Sequence, residues 1–269
     1  MKHYAPVGPI AVLEDLCKKG YLARYELVLA HDVIKHPLRY KALFHGKGHF
    51  IILDNSSVEL GHPMSSSLLL DAANYTDANV VALPDFLHDK DKTVEAVKLF
   101  WKKLSNAERL RYAWMGIPQG RDLDEFEECV IEICKILQQP PRFWGVPRWI
   151  ANEWGSRAKA VKILQHRLYR PLGHESTEHD YIHILGMSGN LADDIRCVRM
   201  PYVMGIDSAN PIVLGLRGFE IGGGVVHMDR GDYWDATGVP ELSLRNIESI
   251  RNLINGRAEL PNAAAATGS

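Results

Sequence analysis

Short runs of apolar residues recur along the chain, and longer stretches with helical periodicity separate them. The runs are apolar at successive positions, which is typical of parallel strands that are covered on both faces. Several of them end in an acid or an amide. The sequence therefore predicts seven strands, at YELVLAHD (25–32), HFIILD (49–54), NVVALPD (79–85), YAWMGIPQG (112–120), FWGVPR (143–148), YIHILGM (181–187) and YVMGID (202–207).

The segments between the runs predict helices. SSSLLLDAANYT begins with serines that can cap a helix, and DKTVEAVKLFWKKL places Val94, Val97 and Trp101 on one stripe. DLDEFEECVIEICKILQQ opens with acids, which suit the helix dipole, and stops before Pro140. A last helix is predicted at LSLRNIESIRNLING. Strands that alternate with helices in this way indicate right-handed βαβ units.

The number of repeats indicates the fold. Seven or eight βα units in about 255 residues favour a (β/α)8 TIM-type barrel over an open, doubly wound sheet. We expect the eighth strand within the glycine-rich segment GFEIGGGVVHM (218–228). No break in composition divides the chain, so residues 1–258 are predicted to form one barrel domain. Residues 259–269 are expected to be a disordered tail.

Composition places the chain among ordinary globular proteins. It has 269 residues and a net charge of −2, and no apolar run approaches the roughly 18 residues of a membrane span. A cytoplasmic location is expected. The four cysteines show neither CxxC nor zinc-finger spacing, so we expect them to be reduced and packed. They are Cys17, Cys129, Cys134 and Cys197.

One segment departs from the balanced charge. Residues 33–49 contain no acid but carry Lys35, Arg39, Lys41 and Lys47 together with three histidines. Such a run is usually a solvated face, and it is also the kind of patch that contacts a phosphate backbone.

The polar residues at the strand ends are the candidates for chemistry, because barrel active sites lie at the carboxyl ends of the strands. Four of the seven predicted strands end in aspartate, at Asp32, Asp54, Asp85 and Asp207, and another ends at Gln119. One such aspartate is often only a turn former or a helix cap. Four at one barrel mouth would raise one another's pKa, as carboxylates that serve a substrate or a metal do.

Several other site types lack their motifs. Barrel hydrolases hold metals with His-x-His on strand ends, which is absent here, and His31 beside Asp32 is the only strand-end histidine with an obvious acid partner. The segment IGGGVV lacks the spacing and the lysine of nucleotide-binding loops, and there is no GxSxG elbow. No metal or cofactor is therefore expected.

The strand-end segments resemble, in order and spacing, those of the tRNA-guanine transglycosylases. FIILDNSS resembles the family's D-S-G segment, and MGIPQG resembles its G-I-V-Q-G. YIHILGMSGNLADDIRCV is similar to its Y-L-M-G-V-G stretch and the helix that follows. YVMGIDSANP looks like the segment that carries the nucleophile, in the archaeal D-S-A form. The similarity covers about residues 25 to 215.

This resemblance implies base exchange in a nucleic acid through a covalent glycosyl intermediate. Asp207 would be the nucleophile, as in retaining glycosidases, and Asp54 the general acid and base. Asp85 and Gln119 match the positions that recognise the base. A carboxylate accepts from N1 and N2 of guanine, and an amide donates to O6. Alternatively, Gln119 is only a turn residue between a strand and a helix.

Backbone groups around Gly145 and Val146 look like the remaining wall of the base pocket, although Gly145 also suits a close-packed bend. The basic residues Lys35, Arg39, Lys41 and Lys47, with Arg148, would then contact a phosphate backbone at the barrel mouth.

Two departures from the family limit the substrate. No cysteine follows residue 207, so the CxCxxC…H zinc subdomain of tRNA-specific members is absent. Ser56 also stands where the family has glycine, which implies a different pocket floor. In length and in lacking zinc, the chain resembles the DpdA-type enzymes of phages and bacterial islands, which insert 7-deazaguanines into DNA. DNA and a base such as 7-cyano-7-deazaguanine are therefore expected. The alternatives are the same exchange in tRNA, a barrel lyase or hydrolase of a small metabolite, and a non-catalytic nucleic-acid-binding barrel.

Overall fold

Eight short parallel strands form the centre of the molecule. The computed structural model describes residues 1–169, 181–222 and 231–259. Each strand from β2 to β7 pairs with the next along the chain, and β8 pairs with β1. The described strands are β1 (His3–Pro6), β2 (Tyr25–Leu29), β3 (Phe50–Asp54), β4 (Val80–Ala82), β5 (Ala113–Gly116), β6 (Phe143–Val146), β7 (Ile182–Ile184) and β8 (Val203–Ser208).

This arrangement confirms the predicted (β/α)8 TIM-type barrel. The two strands that complete the circle, β1 and β2, meet where the rings of His3 and Tyr25 stack with centroids 4.8 Å apart. The seven predicted strands are all present, although most are shorter than the apolar runs that predicted them.

The closing strand was expected in the wrong place. It lies at the N-terminus, where His3–Pro6 pairs with Gly205–Ser208 of β8. Residues 218–222 form no strand, and residues 223–228 lie outside the described part of the chain. The segment HYAP is short and contains a proline, which is tolerated at a strand end but obscures the apolar pattern.

Helices connect the strands, and the four predicted ones are confirmed as α5, α6, α8 and α13. The described helices are α1 (Ile10–Lys18), α2 (Ala30–Lys35), α3 (Pro37–Phe44), α4 (Ser57–Leu60), α5 (Ser66–Thr76), α6 (Lys90–Lys103), α7 (Asn106–Arg111), α8 (Leu123–Leu137), α9 (Trp149–Trp154), α10 (Ala158–Tyr169), α11 (Leu191–Val198), α12 (Asn210–Leu216) and α13 (Glu241–Ile254), with a 3-10 turn at Gly231–Asp235.

Side chains cap the long helices as their sequences suggest. Asp89 accepts a hydrogen bond from the backbone of Lys92 at the start of α6, and Asp122 accepts one from Glu125 at the start of α8. These bonds satisfy backbone donors that the first helical turn leaves open. The predicted serine cap of α5 is different, because Ser65 occupies the N-cap position without a side-chain bond.

Aromatic rings close the barrel at the end where the strands begin. Tyr25 stacks on Phe50 at 5.6 Å, Phe50 packs on Phe143 at 5.9 Å, and Phe143 contacts Tyr181 at 6.1 Å. With His3 beside Tyr25, these rings connect four strands and the residue before a fifth. The other end of the barrel is left for polar groups.

The four cysteines are all free, as predicted, but only two of them are buried. Cys129 and Cys197 are buried, Cys134 is partly buried and Cys17 is exposed, so the expectation of four packed thiols is wrong. No helix among the described residues is long and apolar enough to cross a membrane. The predicted tail at 259–269 lies outside the described residues except for residue 259.

Candidate active site at the carboxyl ends of the strands

A cavity of about 190 Å³ opens at the carboxyl ends of the strands. Five of the predicted site residues line it, which are Asp54, Asp85, Gln119, Arg148 and Asp207. The rest of the lining is mainly apolar and includes Leu27, Leu29, Val58, Leu87, Ile117, Trp149 and Leu185. A few polar groups that converge in an apolar cleft are the usual composition of a ligand site.

Asp54 ends β3 and lines the cavity. Its Oδ1 accepts a hydrogen bond from the backbone of Ser56 at 2.7 Å. Burial raises the pKa of Asp54 well above its usual range, and the charges of Glu59, Asp85 and Asp207 raise it further. Asp54 therefore keeps its proton to a higher pH than an exposed aspartate, as a general acid requires.

Glu59 is a lining residue that the sequence analysis did not identify. It lies on α4, five positions after Asp54. It is the charged neighbour with the largest influence on the pKa of Asp54. The helix is only four residues long and its pattern is too short to show which side faces the cavity. The sequence spacing alone gave no sign of this carboxylate.

Asp85 lies at the centre of a hydrogen-bond network. Its Oδ1 accepts from Asn55 Nδ2 at 2.8 Å and from Ser57 Oγ at 3.0 Å, and its Oδ2 accepts from Gln119 Nε2 at 2.6 Å. Burial raises the pKa of Asp85, and these three donors oppose the rise. One lone pair of Oδ2 remains for a ligand.

Gln119 is fully buried and is held at both ends of its amide. Besides donating to Asp85, it accepts at Oε1 from Trp149 Nε1 at 2.8 Å and from the backbone of His88 at 3.1 Å. These contacts fix the amide with its nitrogen towards Asp85. Gln119 is thus more than a turn residue, but its contacts are within the protein.

Asp207 on β8 is buried and receives two hydrogen bonds on one oxygen. Its Oδ1 accepts from His183 Nε2 at 2.9 Å and from the backbone of Gly186 at 3.0 Å. Behind the imidazole, His183 Nδ1 and Tyr25 Oη are 2.6 Å apart. His183 belongs to the predicted strand YIHILGM, two residues before Leu185, which lines the cavity. Because side chains two positions apart in a strand lie on the same face, this spacing could have predicted that His183 faces the inside of the barrel.

Asp32 has a structural role and does not line the cavity. Its Oδ2 accepts from the backbone of Ile10 at 3.0 Å and from Tyr40 Oη at 2.7 Å. These bonds tie α2 to the start of α1 and to the middle of α3. The expectation that four strand-end aspartates converge is therefore wrong for Asp32, and the pairing of His31 with Asp32 gives no site.

The pocket wall near β6 also differs from the prediction. Gly145 and Val146 do not line the cavity, and the Val146 carbonyl accepts from the backbone of Leu185 at 2.9 Å. A Cβ at Gly145 would lie 2.7 Å from Leu185 Cδ1 and 3.1 Å from Ile117. Gly145 therefore makes room for two lining side chains, and Arg148 with Pro147 forms the wall at this point.

Ser56 has a backbone conformation that favours glycine. Its φ is 61°, in the left-handed region that glycine adopts without strain. Its Oγ accepts from the backbone of His31 at 3.1 Å, and the residue does not line the cavity. The expected change of the pocket floor is therefore not at Ser56.

The basic segment 33–49 runs from the mouth to the opposite end of the barrel, because it connects the end of β2 with the start of β3. Lys35, Arg39, Lys41 and Lys47 are exposed. Arg39 pairs with Glu14 through two bonds of 3.0 and 2.7 Å, and Lys47 donates to the backbone of Ala42. Only the start of the segment lies at the mouth.

A larger cavity, of about 1130 Å³, lies where the strands begin. Three arginines are in its lining, and two of them lie over neighbouring rings: Arg109 is 5.1 Å from the centre of Trp101, and Arg111 is 5.2 Å from that of Tyr112. Arg142 is the third. Barrel chemistry occurs at the other end, so we place the candidate active site in the smaller cavity. Among the described residues, no group of three His, Cys, Asp or Glu side chains is arranged to hold a metal ion.

Comparison with known proteins identifies the fold alone. No protein-family model and no curated protein matches the sequence. D-allulose 3-epimerase from Methylomonas sp. is similar in structure, with a TM-score of 0.51 and 12% identity over 94% of this chain and 99% of that one. Alanine racemase from Oenococcus oeni matches 80% of this chain at 14% identity, with a TM-score of 0.39. The chain spans 52% of the racemase. The likeness to the epimerase agrees with the barrel fold and extends to the fold alone.

Proposed function

We propose that the protein is an enzyme, a guanine transglycosylase that exchanges guanine in DNA for a 7-deazaguanine such as 7-cyano-7-deazaguanine. One observation carries the proposal: two carboxyl groups in opposite settings line one small cavity. Asp54 is half-buried and has a raised pKa, whereas Asp207 is buried and receives two hydrogen bonds on Oδ1. A protonated acid and a hydrogen-bonded carboxylate are the two groups that a double displacement at a glycosidic carbon requires.

The first half of the reaction breaks the bond between C1′ and N9 of guanine. An oxygen of Asp207 forms a bond to C1′ as N9 takes the electron pair of the broken bond, and Asp54 supplies the proton to the leaving base. In the second half, N9 of the 7-deazaguanine gives its proton to Asp54 and attacks C1′, which releases Asp207 as a carboxylate. Protons and charges balance over the cycle without an added oxidant or reductant.

Base recognition follows from the network around Asp85. The free lone pair of Oδ2 can accept from the N1 or N2 donors of the base, while Asn55, Ser57 and Gln119 hold the carboxylate in place. The amide of Gln119 already donates to Asp85, so it orients the acceptor. This differs from the direct role at O6 that the resemblance implies.

The size of the cavity supports a substrate that enters one base at a time. At about 190 Å³ it is smaller than most pockets for drug-sized ligands, which start near 300 Å³. A base within a duplex would have to be flipped out to reach it. The resemblance of the sequence to the DpdA-type enzymes favours DNA over tRNA.

The same small, acidic cavity also suits a second candidate, a lyase or hydrolase that acts on a small metabolite. Buried carboxyl groups with raised pKa values serve such chemistry equally well. In that case the enzyme would have no use for a polymer substrate.

The decisive experiment incubates the protein with labelled 7-cyano-7-deazaguanine or guanine and, in parallel, with guanine-containing duplex DNA and with tRNA. Label in DNA supports the proposal, and label in tRNA alone would move it to tRNA. Label in neither polymer would favour the small-metabolite candidate. Asp124→Asn, an exposed change on α8, is a matched control for aspartate-to-asparagine variants in the site.

A further inference from the structure

The two oxygens of Asp207 have different surroundings. Both hydrogen bonds that the described residues make to this side chain fall on Oδ1, from His183 Nε2 and from the backbone of Gly186. Asp207 also lines the cavity. The carboxylate is therefore held by one oxygen, and Oδ2 is available to a substrate.

The proton positions in the hydrogen-bonded series Tyr25, His183 and Asp207 follow from which atoms can accept. A carboxylate only accepts, so His183 must donate from Nε2. A neutral imidazole then has an acceptor at Nδ1, and Tyr25 Oη donates to it across 2.6 Å. Tyr25 and His183 are both buried. Their bonds select one tautomer and fix the plane of the ring.

The backbone N–H of Gly186, which is the second donor to Asp207, is also held in place by neighbouring groups. Gly186 follows β7, and Arg157 donates through Nη1 to the carbonyls of Leu185 and Gly186, at 3.0 and 2.7 Å. Arg157 is fully buried and pairs with Asp194, which accepts from the backbone of Ser188 at 2.7 Å. The loop that presents the Gly186 N–H is thus fixed at Leu185, Gly186 and Ser188.

We propose that Tyr25 and His183 are positioning residues that hold Asp207 with Oδ2 as the attacking oxygen and stabilise the carboxylate when it leaves. This inference rests on the proposed function. As Oδ2 bonds to C1′, the carboxylate becomes an ester and Oδ1 becomes a weaker acceptor. The bond from His183 is therefore stronger in the free carboxylate than in the covalent intermediate.

Loss of the His183 donor makes the carboxylate a poorer leaving group, so the covalent intermediate should break down more slowly and accumulate. Neither Tyr25 nor His183 lines the cavity, so substrate binding should be unaffected. A residue with a purely structural role would instead lower the formation and the breakdown of the intermediate together.

The test compares His183→Leu, His183→Gln and Tyr25→Phe by kinetics and by the fraction of protein linked to DNA after a rapid quench. For His183→Leu we expect kcat to fall about 10- to 100-fold, KM for DNA to fall with it because the intermediate accumulates, and a larger linked fraction than in the wild type. His183→Gln keeps a donor near Nε2 and should stay within about 10-fold of the wild type. Tyr25→Phe keeps the stacking on Phe50 and should show a smaller loss than His183→Leu. A smaller linked fraction in His183→Leu, or equal losses in Leu and Gln, would overturn the inference.

A measurement without substrate separates this inference from the proposed function. In ¹⁵N-histidine NMR of the wild type at neutral pH, His183 should carry its proton on Nε2, with Nδ1 as an acceptor. The opposite tautomer would overturn the proposed arrangement of Tyr25, His183 and Asp207 even if base exchange is found. If no base is exchanged in any nucleic acid but the expected tautomer is observed, the proposed function fails and the proton arrangement stands.

Discussion

The two ends of the barrel differ in almost every respect. Where the strands begin, aromatic rings close the barrel and a cavity of about 1130 Å³ carries three arginines. Where the strands end, a cavity of about 190 Å³ carries four carboxyl groups. At the second end, buried donors and acceptors determine the orientation and the pKa of the acids. The carboxyl groups and the direction of the strands point to the smaller cavity as the candidate site, although the other cavity is larger.

The largest effect is expected from Asp207→Asn. The asparagine can still accept from His183 and Gly186 at Oδ1, so the fold should be kept, but its nitrogen cannot attack C1′. Base exchange should fall by at least about 10³-fold, measured by label incorporation, while DNA binding stays close to that of Asp124→Asn. Normal turnover by this variant would rule out Asp207 as the nucleophile.

Asp54→Asn should lower exchange by about 10²- to 10⁴-fold, because the leaving base loses its proton donor. In the wild type, kcat should fall as the pH rises through the raised pKa of Asp54, and the variant should lack this dependence. An unchanged alkaline limb in the variant would assign that limb to another group.

The same pKa shift predicts an effect on stability. A carboxyl group with a raised folded-state pKa contributes stability below its unfolded value, near 3.8, and loses it as the pH rises through the folded value. Wild type should therefore lose unfolding free energy relative to Asp54→Asn over that range, as measured by urea denaturation at several pH values. Parallel curves for the two proteins would contradict the raised pKa.

Asp85→Ala tests whether the network at the carboxyl end both stabilises the protein and binds the base. Three donors lose their acceptor, so the free energy of unfolding should fall by about 2 kcal/mol and the Kd for the 7-deazaguanine should rise about 10-fold or more. Calorimetry measures both quantities. A destabilised variant with an unchanged Kd would leave Asp85 with a structural role only.

The smallest effect is expected at the other end. Replacing Arg111 and Arg142 by alanine removes two guanidinium groups from the larger cavity, which lies away from the acids. Exchange should stay within about twofold of the wild type, in an assay at fixed ionic strength because salt screens surface charge. A loss of exchange as large as that of Asp54→Asn would place the active site at the end where the strands begin.

The sequence was sufficient for the parts of the molecule that are repeated or strongly periodic. The apolar runs located seven strands because both of their faces are buried, and the strand ends located Asp54, Asp85 and Asp207 because the strands are parallel. The closing strand was missed because HYAP is too short to show a period. Asp32 was misassigned because its partners, Ile10 and Tyr40, are brought to it only by the fold.

The residues behind the site were hidden for a related reason. His183 and Tyr25 are 158 positions apart in the chain and meet only because the barrel closes. Glu59 lies on a helix of four residues, which is too short for its exposed side to be predicted. Hydrogen-bond partners that come from different strands carry no local signal, so the sequence predicted the acids but not the groups that orient them.

Detection of a covalent bond between Asp207 and DNA tests the central claim most directly. Wild-type protein is mixed with guanine-containing duplex DNA, quenched during turnover and digested with protease and nuclease, and the peptides are analysed by mass spectrometry. We predict a peptide whose Asp207 carries a deoxyribose from which the base is lost, and its absence in Asp207→Asn. Base exchange that proceeds with the sugar attached to a different residue, or with no adduct under any quench, would contradict the account.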